Sequence, residues 1–341
     1  MILVTGGAGF IGSNVTEHYL RKGHRVVVFD NLSRPGGGAE KNIGSLLAKY
    51  GGTRHFEFAF GDVRDWGQLA KAMRGVDIIF HTAAQTAMTT SLEEPTDDFE
   101  ANALGTLNVL EAARTLGRNP IIFNLSTNKV YGDLTKEPIN LSEWTTRWEL
   151  ENKYWSGIDE SYPLDFEGPY GCSKGAGDAY CLDYAHTFNS RVIVFRMSGI
   201  YGVSQYPTED QGWIAWFVRQ AMAGALINIF GDGKQVRDIL YIDDLLKAFD
   251  MALERAEATC GQVYNIGGGR ENSISILELL DFMDRELGIR PSEVSYQEWR
   301  RADQKIYISN TAKAYQQFGW KPQVSKEEGI KRLYHWMRRL S

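Results

Sequence analysis

Cysteine is scarce in this chain. Three residues in 341 carry a thiol, Cys172, Cys181 and Cys260. They are widely spaced and odd in number, and they form no C-x-x-C or zinc-like set. That excludes a disulfide framework and a cysteine-zinc knuckle, and reduced thiols in a cytoplasmic protein are expected. Long apolar runs are missing as well: none approaches the ~20 residues that a membrane-spanning helix needs. An excess of basic charge is also absent. The 37 Lys and Arg stand against 43 Asp and Glu, a net −6, without the basic face of a dedicated nucleic-acid binder. An anionic ligand is still allowed, because phosphates are held by local backbone N–H groups and arginines. The first strand-like run begins at Ile2, which leaves no room for a signal peptide. Internal repeats and low-complexity tracts are lacking.

What is present is an ordinary apolar content of 43%, enough for a full core. Through the first half, short β-branched runs alternate with amphipathic stretches. Residues 2–5 read as a strand, 11–22 as a helix and 25–30 as a strand. Residues 56–60, 77–81 and 120–125 read as further strands. This rhythm predicts an α/β fold of Rossmann type, a doubly wound parallel sheet with helices on both faces. Gly36-Gly37-Gly38 marks a surface loop in the second crossover. From about 133 to 168 the rhythm stops in a polar, aromatic stretch with Trp144, Trp148, Tyr154 and Trp155. A stretch this long is either a surface excursion or subunit contact, or a lid. A helix over 170–188 and a strand over 191–196 follow. Beyond Tyr201 the pattern turns irregular, with a short strand near 263–266. Residues 1–200 are therefore expected to form the sheet domain. Residues 201–341 are expected to form mainly a smaller domain closing over the sheet's carboxyl edge, with some segments returning to the first. The basic stretch 331–339, with Leu333, Trp336 and Met337 interleaved, reads as an amphipathic docking helix.

The first strand runs straight into Gly6-Gly-Ala-Gly9-Phe10-Ile11-Gly12. Glycines at G-x-x-G-x-x-G spacing permit a tight turn, close backbone approach to a pyrophosphate and close packing of helix on strand. The following helix N-terminus offers its N–H groups and positive dipole end to the phosphates. Asp30 closes the second strand, where a carboxylate accepts hydrogen bonds from ribose hydroxyls and repels a 2′-phosphate. NAD is thus favoured over NADP, with nearby Arg34 softening the preference. Asn31 and Ser33 flank this position. Asp62-Val63 after the third strand is either an adenine contact or a helix N-cap. Ala83-Ala84-Gln85 ends the fourth strand with small residues that allow close cofactor approach, and Met197 ends a later one.

Tyr170-Gly-Cys-Ser-Lys174 places a phenol and an ammonium at i and i+4, on one helix face. A phenol with pKa near ~10 is a poor base at neutral pH. A neighbouring ammonium and a nicotinamide cation favour the phenolate, which can take an alcohol proton while hydride leaves the same carbon. Cys172, at i+2, points to another helix face. Upstream lies the hydroxyl-rich strand end Leu125-Ser126-Thr127, followed by Val130-Tyr131-Gly132. With the glycine turn and the Tyr/Lys pair, this set resembles the extended short-chain dehydrogenase/reductase family. In that family a Ser or Thr three residues before Val-Tyr-Gly bonds the reacting oxygen, which implies Thr127. Its 4,6-dehydratases carry acidic residues directly after that position. Here the residues are Asn128 and Lys129, so elimination of water lacks its acid and base, and chemistry by reversible hydride transfer is expected.

In the second half, Gly231-Asp-Gly-Lys-Gln-Val-Arg237-Asp238 resembles the family's phosphate-arginine stretch. Arg300, or adjacent Arg301, resembles the second arginine of a diphosphate clamp. For either arginine alone a surface salt bridge is the simpler account; together they suit a diphosphate by charge and bidentate geometry. Asn228 and Phe230 would then lie near the base. Gln85, Thr86, Met88, Asn128 and Gln211 would lie along the substrate, although Met88 equally suits core filling. A narrower resemblance, to the CDP-sugar 2-epimerases of this family, runs through Ser126–Asp133, Pro169–Gly175, Asp210-Gln-Gly-Trp213, Asn265-Ile-Gly-Gly and Asp303-Gln304. It implies an NAD-dependent isomerase on a nucleotide-diphosphate sugar, working as a homo-oligomer in the cytoplasm, with no nucleic-acid or membrane partner. Departures lie in residues 36–39 and at Met197-Ser198. UDP-sugar 4-epimerisation, and an NAD-sensing protein without turnover, are the alternatives.

Overall fold

The computed structural model describes residues 1–34, 36, 38–134, 140–151, 156–300 and 303–340. Of the positions singled out above, Gly37, Tyr154, Trp155 and Arg301 lie outside the described residues. Seven parallel strands build the main sheet: β1 (Ile2–Thr5), β2 (Val26–Asp30), β3 (Phe56–Phe60), β4 (Ile78–His81), β5 (Ile121–Thr127), β6 (Val192–Met197) and β7 (Gln262–Ile266). Their spatial order is 3-2-1-4-5-6-7. This is the doubly wound topology, with its direction of winding reversing between β1 and β4. Each expected strand of the first half is present, with ends shifted by a residue or two. β5 runs on through Ser126 and Thr127, and helix Phe10–Arg21 starts one residue early.

The strands are continuous apolar runs because both faces are covered. Alternate side chains feed two cores. Val4, Val28, Phe80, Phe123 and Phe195 face one, shared with helices Phe10–Arg21 and Ile242–Glu254. Leu3, Val27, Ile79, Ile122 and Val194 face the other, shared with Gly105–Thr115 and Gly168–Phe188. Ring packing locks the first core. Phe80 stacks on Phe123 at 5.0 Å, and Phe249 meets Phe123 edge-on at 5.2 Å and stacks on Phe195 at 5.2 Å.

Gly38 differs from the expected open loop. It starts the helix Gly38–Tyr50 and is buried, and a Cβ there would lie 3.0 Å from Tyr206. The stretch 133–168 also holds more structure than its sequence suggests. Leu141–Glu143 and Trp148–Leu150 form an antiparallel hairpin. It docks on the second half: Trp148 N donates to Lys234 O at 2.9 Å, and its indole N–H donates to Asp232 at 2.9 Å. Leu150 packs with Val236, Ile306 and Ile308. The apolar and aromatic residues are irregularly spaced because they answer to another part of the chain, not to a local period.

In the second half, Val236–Tyr241 pairs with Gly199–Tyr201, Ser273–Ser275 and Ile306–Tyr307, and Ile227–Phe230 pairs with Val294–Gln297. Helix Lys326–Arg338 buries Ile330, Leu333 and Met337, and Trp336 meets Tyr206 at 5.5 Å. Ser325 caps its N-terminus, and Glu327 and Glu328 favour the dipole there. It is the docking helix the sequence pattern predicts. No helix among the described residues is long and apolar enough to cross a membrane.

Beneath the carboxyl edge lies a buried ion pair. Arg196 on β6 is 3% exposed and Asp178 on the Gly168–Phe188 helix is 1% exposed. Arg196 Nε and Nη2 donate to Asp178 Oδ2 and Oδ1 at 2.8 and 3.0 Å, and Ser126 Oγ on β5 donates to Oδ2 at 2.8 Å. Arg196 Nη1 also donates to Tyr131 OH at 3.1 Å. Removing one member leaves an uncompensated buried charge, which costs about 3–5 kcal/mol. Asp178→Ala is therefore expected to lower unfolding free energy in urea by about that amount, and an added Arg196→Met to recover most of it. Equal midpoints for wild type and Asp178→Ala would contradict this account.

Candidate active site

The cofactor side is built at the switch point between β1 and β4. After Thr5 the chain turns at Gly6 with φ of 68°. A Cβ on Gly6 would lie 2.5 Å from Ala83 N, and one on Gly12 would overlap the Gly6 carbonyl. Gly9 N-caps Phe10–Arg21 without a side-chain bond, and the first helical turn holds no acidic residue. The turn thus presents backbone N–H groups and a positive dipole end, with no competing anion of its own in that first turn. Asp30 ends β2. Its Oδ2 accepts from Ala8 N at 2.9 Å and Oδ1 from Leu32 N at 2.8 Å. Burial raises its carboxyl pKa and those two bonds oppose the rise. Asn31 accepts from Ser33 N at 3.0 Å and donates to Asp62 Oδ2 at 2.8 Å. Arg34 donates to Tyr206 O at 3.4 Å.

Asp62 does not cap the next helix; Asp65 does, accepting from Gln68 N. Burial pushes the Asp62 carboxyl up, but Arg64 and Asn31 together hold it below its ordinary value. Val63 is buried against Gly105, where a Cβ would come within 2.8 Å of its methyl. Ala83 abuts Gly6 and Ala84 is half-buried beside it. Asn102 clamps the Gln85 backbone, accepting from its N and donating to its O, both at 3.0 Å. Met197 ends β6 opposite Thr127 in register. Glycine cradle, helix N-terminus and Asp30 carboxylate together fit a dinucleotide with free ribose hydroxyls.

Thr127 ends β5, and its hydroxyl accepts from Lys129 N at 3.3 Å. Tyr170 and Lys174 lie in the first turns of Gly168–Phe188, started by Pro169. The Thr127 hydroxyl and the Tyr170 phenol both face the same cavity. Burial pushes that phenol up to about 12; the polar side chain of Thr127 opposes the rise and the charge of Asp98 adds to it. Burial pushes Lys174 down to about 8, while Cys181, Asp98 and Asp178 pull the other way. Lys174 Nζ donates to Leu125 O at 2.5 Å. In the protein alone, then, the phenol keeps its proton. The lysine, one helical turn from the tyrosine, is turned to a strand carbonyl.

A cavity of about 300 Å³ opens in front of Thr127 and Tyr170. Met88, Asn128, Gln211, Asn228, Phe230, Arg237 and Arg300 all line it. Gln85 does not; its amide turns to Ala87 O at 2.9 Å, and Thr86 takes the cavity wall. Arg237 Nη2 donates to Asp303 Oδ1 at 2.6 Å, and Lys129 Nζ reaches the same oxygen at 3.3 Å. Burial raises the Asp303 carboxyl, but the two cations outweigh it and hold the group at about 2. Burial also lowers Lys129, against the pull of Asp303. Arg300 stacks over Phe230 at 4.0 Å and donates to Asp210 Oδ1 at 3.0 Å. Asn228 donates to Glu209 at 2.8 Å, and Gln211 bonds the Thr86 hydroxyl. Asn128 donates to Gln304 Oε1 at 3.4 Å.

Sequence reasoning missed the carboxylates Glu209, Asp210 and Asp303 as partners of the expected binding groups. Their signal was adjacency: two sit beside Gln211 and one follows Arg300 by three residues. Ser198, which the sequence marks as a departure from the resemblance, and Gln235, inside the phosphate-arginine stretch, also line the cavity. Cys172 is exposed, away from the reacting face. Among the described residues no group of three His, Cys, Asp or Glu side chains is placed to hold a metal.

The likenesses to known proteins agree with this geometry. Residues 2–267 match the NAD dependent epimerase/dehydratase family. The chain is 41% identical to CDP-paratose 2-epimerase of Salmonella typhi, covering 98% of both chains. It is 34% identical to the putative UDP-glucose 4-epimerase of Methanocaldococcus jannaschii, covering 99% of this chain and 98% of that one. The structure of Thermus thermophilus UDP-glucose 4-epimerase in complex with NAD superposes with a TM-score of 0.81 at 29% identity, over 99% of this chain and 98% of that chain. A full-length match, a seven-stranded doubly wound sheet and a glycine cradle beside a Thr/Tyr/Lys constellation agree: this chain is an NAD-using enzyme of the NAD dependent epimerase/dehydratase family.

Proposed function

We propose that this enzyme is a nucleotide-sugar 2-epimerase acting on a CDP-linked sugar. It oxidises C2 transiently to a 2-keto sugar, lets the sugar turn, and reduces it from the opposite face. One observation carries the choice of epimerisation over elimination. The strand end beside Tyr170 offers a hydroxyl, an amide and an ammonium, Thr127-Asn128-Lys129, and no carboxylate. Of the carboxylates lining the cavity, Asp303 is held at about 2 by Arg237 and Lys129 and is unsuited to proton transfer near neutral pH, while Asp210 and Glu209 are engaged by Arg300 and Asn228. The choice of C2 and of cytidine rests on the 41% identity to the Salmonella typhi enzyme. The 34% identity to the Methanocaldococcus jannaschii protein favours a second reading, inversion at C4 of a UDP-sugar.

Gly6, Gly9, Gly12 and Asp30 would hold NAD, which when bound supplies the hydride acceptor and donor. Thr127 orients the reacting hydroxyl. Tyr170 takes its proton and later returns it. Its phenol at about 12 must be brought down for this, and the positive charges of Lys174 and of the oxidised cofactor both act in that direction. Arg237 and Arg300 hold the diphosphate while the keto sugar turns. The diphosphate then takes over the guanidinium valences that Asp303 and Asp210 fill in the free protein. Residues 1–200 serve as cofactor domain and 201–341 mainly as substrate domain. The same reading has the enzyme working in the cytoplasm as a homo-oligomer; exposed Leu92, Phe99 and Tyr180 offer apolar surface for self-association.

Tyr170→Phe is expected to reduce turnover by about 10²–10⁴-fold while NAD released by heat from the purified protein stays at the wild-type level. Wild-type activity in that variant would sink the mechanism. CDP-glucose and UDP-glucose incubated in deuterated water, with sugar configuration read by NMR, test the substrate. Inversion at C2 of the CDP-sugar without deuterium on carbon is the expected result. Inversion at C4 of the UDP-sugar would support the second reading, and deuterium on the inverted carbon would replace hydride return with proton abstraction.

A further inference from the structure

Behind the Tyr170–Lys174 helix lies a titratable group that the reaction scheme leaves unused. Asp98, on the short helix Pro95–Phe99, is 0% exposed. Its Oδ2 accepts from Ser173 Oγ at 2.5 Å and its Oδ1 from Asn102 Nδ2 at 3.1 Å. Ser173 stands between the two working residues in the chain, next to Lys174. Its hydroxyl oxygen also lies 3.0 Å from the Asn102 amide nitrogen and 3.2 Å from Tyr170 O, and the shorter contact to Asp98 takes its hydrogen. Both carboxyl oxygens thus act as acceptors, the arrangement that suits an ionised carboxylate.

The local backbone is shaped around this contact. Helix Pro95–Phe99 runs through a π-helical turn, Glu100–Leu104, into Gly105–Thr115. Such turns sit out of α-helical register and occur mostly where a side chain must be placed for function. Here the π-turn sets the two N–H groups of the Asn102 amide among three acceptors, Asp98, Ser173 and the Gln85 carbonyl. One network therefore joins the working helix to the strand end that borders the cofactor.

We infer that Asp98 is a positioning residue for the reaction, a buried counter-charge coupled through Ser173 to the Tyr170–Lys174 helix that sets the pH window in which the pair works. This rests on the reading of Tyr170 and Lys174 as the working pair. The other groups around that pair are accounted for. Asp178 gives both oxygens to Arg196 and one also to Ser126. His81 is driven down to about 3 by burial and by Lys174, and its ring nitrogens meet Thr5 and Thr106. Burial pushes the Cys181 thiol up, so it stays neutral. Asp97 lies on the exposed side, paired with Arg64. The two side-chain donors to Asp98 are neutral, so its charge acts on Lys174 and Tyr170 across a low-dielectric interior. It raises both: it keeps the proton on Lys174 and resists loss of the proton from Tyr170. Burial raises the Asp98 carboxyl itself, and the Ser173 hydrogen bond and the Lys174 charge work against that rise.

Removing the Asp98 charge lowers the titration of both groups. Whichever of them governs each limb of the pH–rate profile, both limbs move to lower pH. The test measures kcat and kcat/KM against pH for wild type, Asp98→Asn and Ser173→Ala, using whichever of CDP-glucose and UDP-glucose the wild type turns over. In Asp98→Asn both limbs are expected to move down by about one pH unit. In Ser173→Ala the shift has the same sign and is smaller, because the carboxylate loses a donor but keeps part of its charge. A folded Asp98→Asn enzyme with a uniformly lower rate and unmoved limbs would show a merely structural role and overturn the inference. Should Asp98→Asn yield no folded protein, the limbs of Ser173→Ala decide alone, and unmoved limbs overturn it equally. Activity retained by Tyr170→Phe would mark failure of the underlying mechanism instead.

Discussion

A guanidinium deep inside a protein needs an anion beside it, and much of this structure follows from meeting that need at Arg196. The side chain comes from β6, its carboxylate partner from the Gly168–Phe188 helix, and the serine that completes the carboxylate from β5. Three elements are thereby fixed at one point. Thr127 stands one residue beyond Ser126 and Lys174 one helical turn before Asp178, so the ion pair also fixes where these two residues stand. Such a pair is weak as a source of net stability but demanding in geometry. That suits a site whose groups must be held to fractions of an ångström.

The same principle recurs around the cavity at lower burial. Arg237 and Lys129 share Asp303, and Arg300 pairs with Asp210 while stacked on Phe230. These cations are held in place before any ligand arrives, so fewer side-chain rotations are frozen on binding. The two carboxylates differ in depth. Asp303 is held as a permanent anion at about 2, whereas Asp210 is 43% exposed and exchanges readily with solvent. One arginine is thus locked and the other held more loosely, on a segment that reaches from Thr86 to Asn228 across the cavity.

Much of this was legible in the sequence, and for identifiable reasons. The sheet was, because strands buried on both faces must be apolar throughout, and β1, β2 and β5 leave no other reading. The glycine turn was, because left-handed or crowded backbone at Gly6 and Gly12 admits no other residue. Thr127, Tyr170 and Lys174 were found by spacing and by resemblance. The details that escaped depend on partners distant in the chain. The Trp148 hairpin packs on residues 232–236, the Asn102 clamp joins residues far from it in sequence, and the Lys174 bond to Leu125 O cannot be seen from the Y-x-x-x-K pattern. Gln85 lies outside the cavity lining because its position at a strand end fixes its backbone but not the direction of its amide.

The last strand of the sheet has a consequence for how the chain is made. β7 pairs with β6, and its Asn265 accepts from Tyr131 at 2.8 Å and donates to Ile158 O at 2.8 Å. Until residue 266 has left the ribosome, β6 is an edge strand with a row of unpaired N–H and C=O groups, and Tyr131 lacks one of its partners. An open apolar edge of this kind is a template for pairing with another chain. Nearly four-fifths of the polypeptide must therefore be synthesised before the main sheet can close, and a chain cut short near residue 200 keeps that edge exposed.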